Sequence, residues 1–204
     1  MKRIFSLLLL LALFAGLIPA AAAFSDITAP DELFAASALQ AMGIMEGVGG
    51  GRFAPDEFLT RGQFAKLATL AKGFSEMKVY QSYTIFADVR NTTWYAPYVN
   101  AAVRKYKILQ GYPDGTYRPD NKVTFGEAVT ILVNLLGYTV ADVGPFWPAD
   151  YIAKADELGL TDGVSLQAND SIPRGKAAIL LCNLLLSDTK DGTPFIRTAF
   201  SSVK

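Results

Sequence analysis

Any chemistry in this chain must come from carboxylates, amines, guanidinium groups, hydroxyls and one thiol, because its 204 residues contain no histidine. Without an imidazole, Ser–His and Cys–His nucleophile pairs cannot be built, and the commonest neutral metal ligand is missing. The one thiol, Cys182, lies in the apolar run Ala177 to Leu186 and reads as a small buried side chain. A single Cys also excludes an internal disulfide, so stability must rest on packing. Glycoside hydrolysis needs two carboxylates flanking a cleft. The acids here recur at repeated scaffold positions, and no extra pair stands apart from that pattern. The segment Asp114-Gly115-Thr116-Tyr117-Arg118-Pro119-Asp120 looks like a calcium loop, yet it lacks alternate acidic ligands and a closing Glu. It reads as a turn. No metal ligand, catalytic residue or cofactor is assigned, and a binding protein is expected rather than an enzyme.

The N-terminus carries an address. Lys2 and Arg3 precede the apolar stretch Ile4 to Ile18, which ends in Ala20-Ala21-Ala22-Ala23. Charge, apolar core and small residues in that order predict a signal peptide over 1–23, cut before Phe24. The alternative is a retained anchor, since about 20 apolar residues can span a bilayer. No Cys follows the Ala run, which argues against a lipid anchor, and no later segment is long and apolar enough to span. The full chain has 19 basic and 19 acidic side chains. Removing Lys2 and Arg3 leaves it slightly acidic, without the broad basic footprint that nucleic acid requires.

The elements that would position the remaining polar residues come in copies, and internal repeats govern the fold where they exist. Gly43-Ile44-Met45-Glu46-Gly47, Pro55, Thr60-Arg61-Gly62 recur as Lys107-Ile108-Leu109-Gln110-Gly111, Pro119, Thr124-Phe125-Gly126, each 64 positions on. A shortened third copy runs Gly159-Leu160-Thr161-Asp162-Gly163, then Pro173-Arg174-Gly175. A preceding block also repeats. Phe24-Ser25-Asp26-Ile27 matches Phe86-Ala87-Asp88-Val89 and, more weakly, Val140-Ala141-Asp142-Val143, while Trp94 matches Trp147.

Each copy reads as helix, glycine-rich loop, helix. Leu33, Phe34, Ala38, Leu39 and Met42 form an apolar stripe at helical spacing, and Gly43 stops it. Thr60 with Gln63, and Thr124 with Glu127, have the capping-box spacing. Pro173 replaces the capping Thr and suits a first helical turn. One such pair is too small to bury its faces, so three are expected to share a core. The predicted fold is mainly α: three helix-loop-helix repeats in a pseudo-threefold helical domain, with short β-hairpins near Arg52-Phe53 and Thr116-Tyr117.

These residues resemble the surface-layer homology repeat, roughly Phe-x-Asp-Val, Trp-Ala, Gly-Ile-x-x-Gly-Tyr-x-Asp-Gly-Thr-Phe-x-Pro and Thr-Arg-Ala-Glu. The second copy is closest, with Phe86-Ala87-Asp88-Val89, Trp94 and Gly111-Tyr112-Pro113-Asp114-Gly115-Thr116-Tyr117-Arg118-Pro119. The division expected is 24–84, 85–138 and 139–187 for the three repeats, with 188–204 as a C-terminal tail. The resemblance implies a three-pronged helical domain whose grooves bind secondary cell-wall polymer on peptidoglycan, often through pyruvylated N-acetylmannosamine. It thereby implies an exported protein held non-covalently at the bacterial cell wall.

The resemblance also implies the site. Arg61 and Arg174 match the motif Arg, whose fork fits a carboxylate and which opens a helix whose free N–H groups attract anions. Phe125 stands in that place in the second copy, so at most two grooves are expected to bind an anionic glycan well. Trp94 and Trp147 match the aromatic position, where a ring can stack on a sugar. Asp26, Asp88 and Asp142 match the acidic position, and capping or loop-holding is the alternative reading for them. Gly62, Gly126 and Gly175 would let a ligand approach the backbone. The competing function is an assembly protein whose degenerate repeats recruit a partner at the envelope.

Overall fold

The structure is a computed structural model and describes residues 24–200. The expected signal segment 1–23 lies outside the described residues. Among the described residues the architecture is mainly α, and no helix there is long and apolar enough to cross a membrane.

Helix starts and stops follow local chemistry. α1 (Pro30–Ala41) opens on Pro30 with Asp31 and Glu32 in its first turn, and Gly43 ends it at φ 67°. Proline suits a first turn, and the acids complement the positive helix end. α2 (Arg61–Ala71) and α5 (Phe125–Leu135) both begin with the expected capping boxes, Thr60 with Gln63 and Thr124 with Glu127. Between them lie α3 (Met77–Gln81) and α4 (Ala96–Arg104). α6 (Val140–Val143), α7 (Ala149–Glu157), α8 (Arg174–Leu186) and α9 (Phe195–Phe200) follow. Pro173 takes the capping Thr's place, as the extended residue immediately before the first turn of α8.

The helices pair across copy boundaries. α2 packs on α4, α5 on α7, and α8 returns to pack on α1. The loops before α2, α5 and α8 meet in a closed ring: Leu59 N–H donates to Ile172 O, Ile172 N–H to Val123 O, and Val123 N–H to Leu59 O, at 3.0–3.1 Å. The three ring side chains are buried, as are Phe53, Phe64, Tyr117, Leu132 and Leu180 of the same core. Burying each such side chain is worth about 1.5–3 kcal/mol. The core therefore lies on the pseudo-threefold axis and holds the helix starts in fixed relation.

Two expectations change here. The short hairpins reduce to isolated bridges, such as Gly49 with Arg52. The next N–H groups, of Phe53 and Tyr117, donate instead to the Asp26 and Asp88 carboxylates. The expected tail is also part of the fold as far as residue 200. Asp188 bridges Pro194, Phe195 N–H donates to Ser187 O at 2.9 Å, and the Phe195 ring is fully buried.

Candidate functional site

The starts of α2, α5 and α8 are the elements on which the expected site depends. Each is seated on the loop of the next copy. Arg61 and Gly62 N–H donate to Asn121 O and Pro119 O, both at 2.8 Å. Phe125 and Gly126 N–H donate to Asp170 O and Ala168 O at 2.8 and 2.9 Å, and Arg174 and Gly175 N–H to Glu57 O and Pro55 O at 2.8 Å. The first two donors of each helix are thus satisfied within the protein, where open donors for an anion were expected. Gly62, Gly126 and Gly175 are buried for the same reason. A Cβ on Gly62 would lie 3.2 Å from Pro119 O, and one on Gly126 would lie 2.9 Å from the Pro148 ring. Close approach is needed there, but by a neighbouring segment rather than by a ligand.

Because the helix starts cross the boundary, so do their side chains. Arg174 Nε donates to Phe53 O and its terminal nitrogen to Glu46 O, both at 2.8 Å, with the guanidinium 4.8 Å from the Phe53 ring centre. Burial pulls this guanidinium below its ordinary range, opposed by the charges of Glu57 and Asp26. Arg61 reaches the second loop instead. Its Nε donates to Tyr117 O at 2.9 Å, it sits between the Tyr112 and Tyr117 rings, and it pairs with Glu127 Oε1 at 2.5 Å. Phe125, buried, faces the third loop through Asp170. The missing charge therefore belongs to the third loop and not to the second.

The first loop borders an open groove of about 300 Å³ lined by Gly47, Val48, Gln63, Lys66, Trp94 and Arg174, among others. Trp94 is 53% exposed and stands edge-on to Tyr95. Among the described residues neither Lys66 nor Arg174 forms an ion pair with a carboxylate. An exposed ring beside two cations can stack on a sugar and hold an acid. Lys66 and Gln63 were missed in the sequence, although their i, i+3 spacing places both on one face of α2.

The second and third boundaries differ in charge. On α5, Glu127 holds the place of Gln63 and Thr130 that of Lys66. Trp147 is 58% exposed, and its Nε1 donates to Thr130 Oγ1 at 3.0 Å. At the third boundary Lys176 pairs with Glu32 at 2.9 Å, and Pro30 takes the place of the Trp.

The three acids divide two to one. The Asp26 carboxylate accepts from Phe53 and Ala54 N–H at 2.8 Å, and Asp88 accepts from Tyr117 and Arg118 N–H at 2.9 and 2.6 Å. Ala54 and Arg118 have φ of 58° and 57°, a left-handed conformation that costs side-chain-bearing residues energy. Each carboxylate pins that bend. Burial pushes the Asp26 carboxyl up, but the bonds from Phe53 and Ala54 outweigh it and hold it below the usual range. Asp142 instead caps α6 through Thr139 and pairs with Lys190. Asp114 folds onto Thr116 and Arg118 as a turn.

Comparison with known proteins supplies the remaining finding. Residues 24–65 and 85–129 match the S-layer homology domain. A surface layer protein of Brevibacillus choshinensis is 37% identical over 171 residues, covering 81% of this chain and 15% of that protein. The middle cell wall protein of Brevibacillus brevis is 35% identical over 158 residues, with 77% and 15% covered. A cellulosome-anchoring protein of Acetivibrio thermocellus is 30% identical over 93 residues, with 45% and 21% covered. The chain thus spans less than a quarter of each of these relatives.

Proposed function

Two segments of this chain match the S-layer homology domain, and from that premise we propose that it is an exported, non-catalytic module that anchors its protein to the bacterial cell surface. The ligand is a secondary cell-wall polymer on peptidoglycan, held through a sugar-borne carboxylate such as a pyruvyl ketal. The observation that carries this reading is the first groove, where exposed Trp94 stands with Lys66 and Arg174 and, among the described residues, no carboxylate forms an ion pair with either cation. Relatives named for surface layers, cell walls and anchoring favour a binding role over catalysis.

In this reading residues 139–187 are a third, shortened repeat outside the matched segments. Their support is geometric: α8 closes on α1, and Ile172 completes the three-membered ring. Residues 1–23 act as the export signal. Arg61, Asp26, Asp88, Gly62, Gly126 and Gly175 hold the grooves in shape, Asp142 steadies the third segment, and Trp94 and Arg174 touch the polymer.

The test is co-sedimentation of the chain from Phe24 onward with wall sacculi, before and after acid removes the secondary polymer. Pelleting that disappears after stripping is expected. Pelleting that survives would move the ligand to peptidoglycan itself. No pelleting would replace glycan anchoring with recruitment of another surface protein.

A further inference from the structure

The two exposed tryptophans are held in different ways. Trp147 is fixed through its own ring, whose Nε1 donates to Thr130 Oγ1 at 3.0 Å. At the first boundary Lys66 stands in place of that threonine, and among the described residues the Trp94 indole N–H has no hydrogen-bond acceptor. The placing of Trp94 therefore falls to its backbone. Here the first copy has a part that the second lacks: residues 72–85 join α2 to the second copy, whereas 136–139 suffice to join α5 to the third. α3 lies in the longer connection and packs on α4. Phe74 seats that connection against Tyr98 and Tyr106, with ring centres 5.9 and 6.4 Å away. Asn100, fully buried on α4, donates to Tyr80 O and Tyr83 O at 2.8 and 3.0 Å. Gln81, the last residue of α3, is thereby fixed against α4. Its Nε2 donates to Asn91 O and, at 3.2 Å, to Thr93 O. Those carbonyls belong to the turn, closed by Thr93 on Arg90 O, that delivers Trp94 to the groove.

We infer that Gln81 is the positioning residue of the first groove: it clamps the turn before Trp94, so that the exposed ring meets a sugar face already in place. Ordering a contact residue in advance removes part of the entropy cost of binding. Both acceptors are backbone carbonyls of an accessible turn, where water replaces the amide if it is lost. The clamp therefore governs the freedom of the ring and not the stability of the fold. The inference rests on the glycan-anchoring reading and adds to it the residue that holds Trp94 for the polymer.

The chain has two tryptophans, so Trp147→Phe leaves Trp94 as the one indole reporter. Gln81→Met keeps the length of the side chain without its donor, and Gln81→Lys keeps a donor. Time-resolved fluorescence anisotropy in the Trp147→Phe background, with no ligand added, reads the freedom of the Trp94 ring. Pelleting with wall sacculi, measured with both tryptophans in place, reads its use. Gln81→Met is expected to add fast local depolarisation at Trp94 and to weaken pelleting about three- to tenfold, at an unchanged melting temperature. Gln81→Lys should restore the slow decay. A ring equally rigid in Gln81→Met, or one loosened at unchanged affinity, would overturn the inference while leaving anchoring intact. So would failure of Gln81→Lys to restore rigidity, or a melting temperature that falls together with binding, since Gln81 would then be a brace of the fold. If the chain with Gln81 in place does not pellet, the anchoring reading falls, and this inference with it.

Discussion

Arg174 donates through Nε to the Phe53 carbonyl, 2.8 Å away and 121 residues earlier in the chain. The bond joins the start of α8 to the loop of the first copy, and the same guanidinium lines the groove. Arg174 is thus both a brace and a candidate ligand contact.

Arg174→Ala is expected to lower stability by about 1–2 kcal/mol, because two backbone carbonyls lose a charged donor. Wall binding should fall as well. Lys66→Ala, which removes a cation 6.0 Å from the Tyr98 ring centre, should weaken wall binding with little change in stability. Urea denaturation and sacculus pelleting on both variants separate the two effects. Equal stability losses would remove the distinction.

Asp26→Ala should act in the opposite sense. The carboxylate is occupied by Phe53 and Ala54 N–H, and it holds Ala54 in a left-handed bend. Its loss is expected to lower the melting temperature by a few degrees while polymer affinity per folded molecule stays the same. A variant with native stability and lost affinity would place Asp26 in contact with ligand instead.

The pH response follows from Asp142. Lys190 first, then the Thr139 backbone and hydroxyl, hold its carboxyl down to about 2. In the unfolded chain it titrates near the ordinary ~3.9. A depressed carboxyl contributes stability that is fully present above the unfolded value and lost as pH falls toward the folded one. The melting temperature of the native chain should therefore exceed that of Asp142→Asn at pH 5. The difference should shrink between about pH 4 and pH 2. A difference independent of pH would mean that the pair with Lys190 is not responsible.

What was legible in the sequence was local. Thr60 with Gln63 and Thr124 with Glu127 lie three residues apart, so their capping follows from spacing alone. Gly43 ends α1 for an equally local reason. The boundary crossing was not legible, because the ring of Leu59, Val123 and Ile172 and the return of α8 to α1 are set by three-dimensional closure. That closure moves Arg61 and Arg174 away from the loops of their own copies, fills the glycine positions with atoms of neighbouring segments, and brings Lys66 to the groove.

The last prediction concerns Phe195. The sequence places it beyond the final repeat, in the C-terminal tail 188–204. Its ring is fully buried, Lys72 Nζ lies 4.9 Å from the ring centre, and its N–H closes on Ser187 O. Lys72 belongs to the end of α2, so Phe195 ties the end of the third segment to the first. Phe195→Ala should cost about 3–5 kcal/mol, the range for a large aromatic side chain removed from a core that cannot fully collapse. A chain ended at Ser187 should lose a comparable amount. Equilibrium urea denaturation of both variants checks this. Because the ring is not among the residues that line the groove, folded molecules of either variant should still bind sacculi. If stability is unchanged, residues 188–200 are an appendage after all; if it falls as expected, the folded unit extends past the third segment to Phe195.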